Sequence, residues 1–279
     1  MSSLLRIRQL YPSLALNERR LADFLLSQPD RARHLSSQKL AEESGVSQSS
    51  VVKFAQKLGY KGFPALKLAL SESLADKDAI TVHNQILSDD PLKAVGEKLL
   101  TEKLSAIRAT LDINSEEKLN AVLQLLKRAR RILLVGIGAS GLVAKDFSWK
   151  LMKIGINAVA EQDMHALLAS VQAMSSGDVL LAISYTGERR EINLAAQEAV
   201  RVGADVLAFT GFTPNTLQQC ATHCLYTVAE EQSTRSAAIS STTAQLALTD
   251  LLFMALVQND PERASSHIRH SEALVKKLI

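Results

Sequence analysis

From Arg131 onward short apolar runs alternate with helical stretches, and this alternation constrains the fold more than any other feature of the chain. "RILLVGIG" is an apolar run ending in glycine, and "ASGLVAKDFSWKLMKIG" is a helical stretch stopped at Gly155. "INAVAEQ" is a second run, followed by a helix expected from about His165. Then come "DVLLAISYTG", the helix "REINLAAQEAVRVG", the runs "ADVLAFTG" and "CLYTVAEE", and the long helix "SSTTAQLALTDLLFMALVQ". Parallel strands need a crossover, and helices supply it while covering both faces of the sheet. The expected fold is therefore α/β, with a five-stranded parallel sheet flanked by helices. Ligands of such sheets sit at the carboxyl ends of the strands.

Two of these strand ends carry chemistry. "GIGASG", Gly136 to Gly141, lets the backbone approach a ligand, and a helix N-terminus follows at once with free N–H groups and partial positive charge. "SYTGERRE", Ser184 to Glu191, offers hydroxyls at Ser184 and Thr186 and a glycine, Gly187, before a helix. Gly136, Gly138 and Gly141 also satisfy the GxGxxG spacing of dinucleotide sites, with Glu161 as the acid closing the second strand. Two hydroxyl-and-glycine loops converging on one switch point favour a phosphate cradle over that reading.

The N-terminal part follows a different grammar. "LNERRLADFLLSQ" begins at Asn17, a good N-cap, with Leu21, Phe24 and Leu25 at helical spacing. In "LSSQKLAEESGVSQSSVVKFAQKLG", Ser36 or Ser37 caps a short helix and Gly45 turns the chain. Ser47 caps a second helix in which Val51, Phe54, Ala55 and Leu58 share one face. Helix, glycine turn and second helix form a helix-turn-helix pattern. On the outward face stand Ser49, Lys53 and Gln56, flanked by Gln48, Ser50, Val52 and Lys57, and no acidic residue occurs from Ser47 to Pro64. Amides and hydroxyls suit base edges and cations suit phosphates. A further helix is expected from Pro64 through Ser73. Periodicity fades from Glu72 to Pro91 and resumes in "LKAVGEKLLTEKLSAIRATLDI" and "SEEKLNAVLQLLKRA". The first of these either spans the domains or pairs with itself in a dimer.

Charge follows the same division. Residues 1–71 carry 11 Lys and Arg against 5 Asp and Glu, whereas the remainder is mildly acidic. A polyanion would thus meet the N-terminal part. Hydrophobic content is 47% and charged content 22%, ordinary for a soluble globular protein. Runs such as "ILLVGIG" and "VLLAIS" are too short to cross a bilayer, and "MSSLLRIRQLYPSL" lacks the apolar stretch of a signal peptide. A cytoplasmic protein without membrane partners is expected. Cys220, His223 and Cys224 in "CATHC" leave too few ligands for zinc, so neither metal nor cofactor is expected.

"LSSQKLAEESGVSQSSVVKFAQKLGYKGF" resembles the N-terminal signature of the RpiR family of bacterial transcriptional regulators. "GIGASG", "SYTG" and "TAQLALTDLLF" resemble the sugar isomerase (SIS) domain that this family carries behind its reading domain. "SQSSVVKFAQKLG" and "KLMKIG" look closest to the branch that includes the repressor of N-acetylmuramic acid use. The resemblance implies a regulator of carbohydrate genes that binds a double-stranded operator as a homodimer or homotetramer and is governed by a phosphorylated sugar. It implies no catalysis, and the alternative is a sugar-phosphate isomerase with a helical extension, for which Glu161, Glu188 and Glu231 are candidate bases. Ser140, Ser184 and Thr186 match the family's phosphate ligands, helped by backbone N–H groups near Gly138 and Gly187. Arg189 stands where the family shows a threonine, and it either contacts the phosphate or faces solvent. Lys53 stands where many relatives show arginine, so a point charge replaces a bidentate fork. His165 contacts sugar hydroxyls or makes a structural hydrogen bond. The hydroxyl-rich stretch Ser233 to Thr243 lines the pocket or caps the last long helix. The implied domains are a helix-turn-helix domain at 1–77, a linker and connecting helix at 78–118, a SIS domain at 119–258 and a C-terminal helix at 259–279.

Overall fold

The computed structural model describes residues 3–72, 81–230 and 238–278. The chain divides into two compact units, with the first division falling between Ser105 and Ala106, inside the segment read as linker and connecting helix.

The first unit opens with six helices: α1 (Ser3–Leu10), α2 (Leu16–Ser27), α3 (Pro29–Ala32), α4 (Ser37–Ser44), α5 (Gln48–Lys57) and α6 (Phe63–Glu72). The side chain of Ser36 accepts from the N–H of Lys39, and that of Ser47 accepts from the N–H of Ser50, so each serine starts its helix. Gly45 closes α4 at φ 67°, and the N–H of Val46 reaches back to the carbonyl of Ala41. Val51, Phe54, Ala55 and Leu58 are buried with Leu21, Leu25, Leu40, Leu66 and Leu70, which makes the apolar face of α5 the centre of the trihelical core. The start of α2 differs from expectation. Its N-cap is Ala15 rather than Asn17, because Glu18 reaches back to accept from the N–H of Ala15 at 2.8 Å, one half of a capping box.

The segment from Glu72 to Pro91, where periodicity fades, contains a two-stranded antiparallel pair, β1 (Thr81–His83) and β2 (Ile86–Leu87). Asn84 turns it at φ 45°, a conformation that asparagine tolerates. Strands of two and three residues are too short to leave a period in the sequence. Helix α7 (Leu92–Ile113) follows.

The second unit continues with α8 (Glu116–Arg128), which bears glutamates in its first turn and cations in its last, as the helix dipole favours. Strands and helices then alternate: β3 (Arg131–Gly136), α9 (Ala139–Lys153), β4 (Ala158–Glu161), α10 (Met164–Gln172), β5 (Asp178–Ser184), α11 (Arg190–Arg201), β6 (Asp205–Gly211), α12 (Thr216–Cys220), β7 (His223–Thr227), α13 (Ile239–Asn259) and α14 (Pro261–Val275). The strands form one parallel sheet in the order β4-β3-β5-β6-β7. Alternate residues feed two cores. Leu134, Ile183 and Phe209 pack against residues of α8, α9, α13 and α14, while Val135, Ala182 and Ala208 pack against residues of α10, α11 and α12. Burial on both faces explains why the strands read as continuous apolar runs. Among the described residues α13 is the one helix long and apolar enough to cross a membrane. Its Ala244, Gln245, Leu248 and Leu252 are nevertheless buried inside the unit, as in a core helix.

Candidate functional site

The chain reverses direction across the sheet between β3 and β5, because β4 lies on one side of β3 and β5 on the other. This is the switch point at which open α/β sheets hold ligands. Gly136 is level with Ile183 in the ladder, so the "GIGASG" turn and the "SYTG" loop leave adjacent strands side by side. Gly138 precedes α9 at φ 60°, ψ −128°, a conformation that side chains disfavour, and no side chain caps the helix there. Ser140 sits half-buried in the first turn, where the Nε2 of Gln245 donates to its hydroxyl at 3.2 Å.

The second loop is tethered from below. The N–H of Gly187 donates to the carbonyl of Ser184, and the Nδ2 of Asn193 donates to the carbonyl of Gly187 at 3.1 Å. A Cβ at Gly187 would collide with the side chain of Asn215, so only glycine fits this close approach. Ser184 is buried at the end of β5, level with Thr210 on β6. Thr186 is exposed, and its hydroxyl accepts from the N–H of Glu188. Arg189 is the N-cap residue of α11, exposed, and its side chain has no polar partner among the described residues. His165 is exposed on the second residue of α10. Gln162, three residues before it, lies against Gly141, which places the loop after β4 beside the first glycine turn.

Two of the three carboxylates considered as bases are engaged elsewhere. Glu188 accepts from the N–H and the hydroxyl of Thr216, and those hydrogen bonds hold its carboxyl below the ordinary range. Glu161 accepts from the N–H groups of Gln162 and Asp163. Glu231 lies outside the described residues, as does the part of the hydroxyl-rich stretch from Ser233 to Ala237. Ser240 and Ser241 are buried at the start of α13. The hydroxyls of Ser240 and Thr210 are buried and have no hydrogen-bond partner among the described residues. Among the described residues no cluster of three His, Cys, Asp or Glu could hold a metal. Burial pushes the Cys224 thiol up to about 11, which makes it a poor ligand or nucleophile.

In the first unit, α5 exposes Gln48, Ser49, Lys53, Gln56 and Lys57, while Ser50 is half-buried. Lys53 and Gln56 have no side-chain partner among the described residues, so nothing there competes for them. Gln48 donates to the hydroxyl of Ser37 at 2.9 Å and thereby fixes α5 against α4. The hydroxyl of Ser47 lies 2.8 Å from those of Ser49 and Ser50. Lys57, expected to be available for phosphate, instead donates to Glu18 at 2.6 Å. Burial alone would raise the Glu18 carboxyl, but the Lys57 hydrogen bond and the Ala15 N–H outweigh it and the pKa falls below its ordinary value.

The family model for the helix-turn-helix domain of the rpiR family matches residues 1–77, and the SIS domain model matches residues 125–255. The chain belongs to the RpiR family. The uncharacterized HTH-type transcriptional regulator YfhH of Escherichia coli strain K12 is 68% identical over 282 residues, covering all of both chains. Two solved structures share the fold. The Vibrio vulnificus NanR protein complexed with ManNAc-6P has 23% identity and a TM-score of 0.66, over 100% of this chain and 99% of that one. The sugar isomerase domain of the RpiR transcription factor from Sphaerobacter thermophilus has 20% identity and a TM-score of 0.59, over 64% of this chain and 98% of that one. In this RpiR-family chain residues 78–124, which hold β1, β2, α7 and most of α8, fall outside both domain matches. Gln245 was not among the expected site residues. Its only signal in the sequence is an amide inside the apolar stretch "TAQLALTDLLF".

Proposed function

We propose that the chain is a cytoplasmic transcriptional regulator that reads an operator with α4 and α5 and is governed by a phosphorylated sugar at the carboxyl ends of β3 and β5. One observation carries the sensor reading: Ser140 and the Ser184–Gly187 loop leave neighbouring strands at the switch point of the sheet. Neutral donors at helix starts hold a dianion without leaving a buried charge unpaired when the site is empty. The fold shared with a NanR protein bound to ManNAc-6P supports this class of effector. The engagement of Glu161 with the backbone of its own loop and of Glu188 with Thr216 at the start of α12 supports binding without turnover. Calorimetry against hexosamine, pentose and hexose phosphates tests the reading, and turnover of any of them would favour the isomerase instead.

On the DNA side, Lys53→Ala and Gln56→Ala are each expected to cost about 1–3 kcal/mol at the operator and to relax its sequence discrimination. Lys57→Ala is expected to act on the fold of the head as well as on affinity, because it leaves Glu18 without its cation. Mobility shifts on operator and scrambled DNA, with thermal melts alongside, separate the two effects. Operator binding unchanged in both Lys53→Ala and Gln56→Ala would remove α5 from the groove.

A two-fold operator requires a two-fold protein. The apolar residues of α13 divide between its own core and the outside: Ala244, Leu248, Leu252 and Leu256 are buried within the unit, whereas Leu251 and Met254 are exposed. On α9, Leu142, Trp149 and Met152 are exposed at positions that share a helix face. A homodimer that buries this set explains it. Light scattering is expected to report a dimer or tetramer, and Trp149→Glu is expected to shift it toward monomer. A wild-type monomer at micromolar concentration would exclude the proposal.

A further inference from the structure

One buried polar group of the anion site comes from outside its two loops. Gln245 lies within α13 and is 1% exposed, beside Ala244 and Leu248 on the buried side of that helix. An amide among aliphatic side chains costs free energy unless it is hydrogen-bonded, and an apolar residue of similar size would serve packing alone. The bond that Gln245 makes runs from its Nε2 to the hydroxyl of Ser140, across the contact between α13 and α9.

The chemistry of a serine hydroxyl gives this bond a role. Its oxygen has one proton to donate and two lone pairs to satisfy. A phosphate dianion only accepts, so Ser140 can bind it only by pointing its proton into the site. A donor behind Ser140 selects that orientation by filling a lone pair, and Nε2 of Gln245 is such a donor. We propose that Gln245 is a positioning residue of the effector site, which holds the Ser140 hydroxyl as an acceptor so that its proton faces the anion. The inference rests on the reading of Ser140 as an anion ligand. It also ties occupancy of the site to α13, an element outside both glycine loops.

Sulfate is a suitable probe, because it stays a dianion between pH 5 and pH 8. Calorimetry would use the full chain, with affinities expressed as the ratio of variant to wild type at each pH, so that contributions common to both cancel. Of the other charges on α9 and α13, Lys150 is bonded to Asp146 and Asp250, Lys145 lies over Trp149, and Lys153 is exposed at the last residue of α9. Gln245→Met removes the donor at similar length and is expected to weaken sulfate about tenfold at every pH. Gln245→Glu is expected to weaken it by roughly 30-fold or more at pH 8, where a carboxylate competes for the Ser140 proton and repels the anion. The Gln245→Glu ratio should recover toward pH 5, because a buried carboxyl takes up a proton there and again has a hydrogen to donate. A purely structural tie would show no such recovery. If Ser140→Ala binds sulfate like the wild type, the anion reading itself fails. If Ser140→Ala loses affinity but Gln245→Glu does not, or its ratio is flat with pH, the positioning role alone is overturned. Circular dichroism establishes folding, and if Gln245→Glu does not fold, undiminished affinity in Gln245→Met overturns the role.

Discussion

The double substitution Ser140→Ala with Ser184→Ala is expected to abolish the effector response while leaving operator binding intact. Each hydroxyl offers the phosphate one charge-assisted hydrogen bond, worth about 1.5–3 kcal/mol. Losing both is expected to reduce effector affinity by a factor of roughly 100 or more. Neither residue belongs to the helix-turn-helix unit, so the reading head is untouched. Effectors shift an equilibrium only by their differential affinity for its two states, so a variant that cannot bind the sugar cannot be switched by it. Operator mobility shifts with and without the phosphorylated sugar, alongside calorimetry, check both halves of the expectation. Full effector affinity in the double variant would exclude this pocket.

The largest loss of stability is expected from Asp178→Ala. Asp178 opens β5 with its side chain fully buried. The Nε and Nη2 of Arg130 donate to its two oxygens, and the Nε of Arg131 and the N–H of Ser175 donate as well. Burial alone would raise the carboxyl, but the Arg130, Ser175 and Arg131 hydrogen bonds outweigh it and hold the pKa below its ordinary value. Breaking such a cluster costs about 3–5 kcal/mol, and the partly exposed arginines, which water can reach, favour the lower end. A fall of roughly 10 °C in the melting of the SIS unit is expected. The sign with pH follows from the depressed pKa. The stabilisation is complete above the unfolded carboxylate range near pH 4 and disappears as pH falls through the folded value. Wild type and variant should therefore converge on acidification, and a constant difference down to pH 2 would contradict the account.

What the sequence disclosed and what it concealed divide along physical lines. The face of α5 was legible because Val51, Phe54, Ala55 and Leu58 carry a helical period, and its start was legible because Ser47 is a capping residue followed by a polar turn. The sheet was legible because its strands are apolar throughout, as burial on both faces demands. Pairings between distant residues left no period. Lys57 meets Glu18 across 39 positions, and Glu188 meets Thr216 across 28, so each looked like an ordinary surface charge. Asp178 opened the run "DVLLAISYTG" with nothing nearby to mark Arg130 and Arg131 as its partners. Gln245 was hidden as one amide in an apolar stretch, and its partner Ser140 lies 105 positions away.

The placement of α13 bears on how the protein is made. The core around the sheet takes Leu248, Leu252 and Leu256 from that helix and Ala264 from the next, all translated after every strand of the sheet. The six helices of the head all lie within the first 72 residues, although Arg8 of α1 also donates to the carbonyl of Ala229. N-terminal domains fold first during synthesis. A frameshift or stop codon between Leu92 and Gln245 therefore does not erase the protein's coding of its reader. It removes α13 and the sheet core that depends on it while leaving the helix-turn-helix encoded, so early and late truncating alleles of one gene belong to different genetic classes.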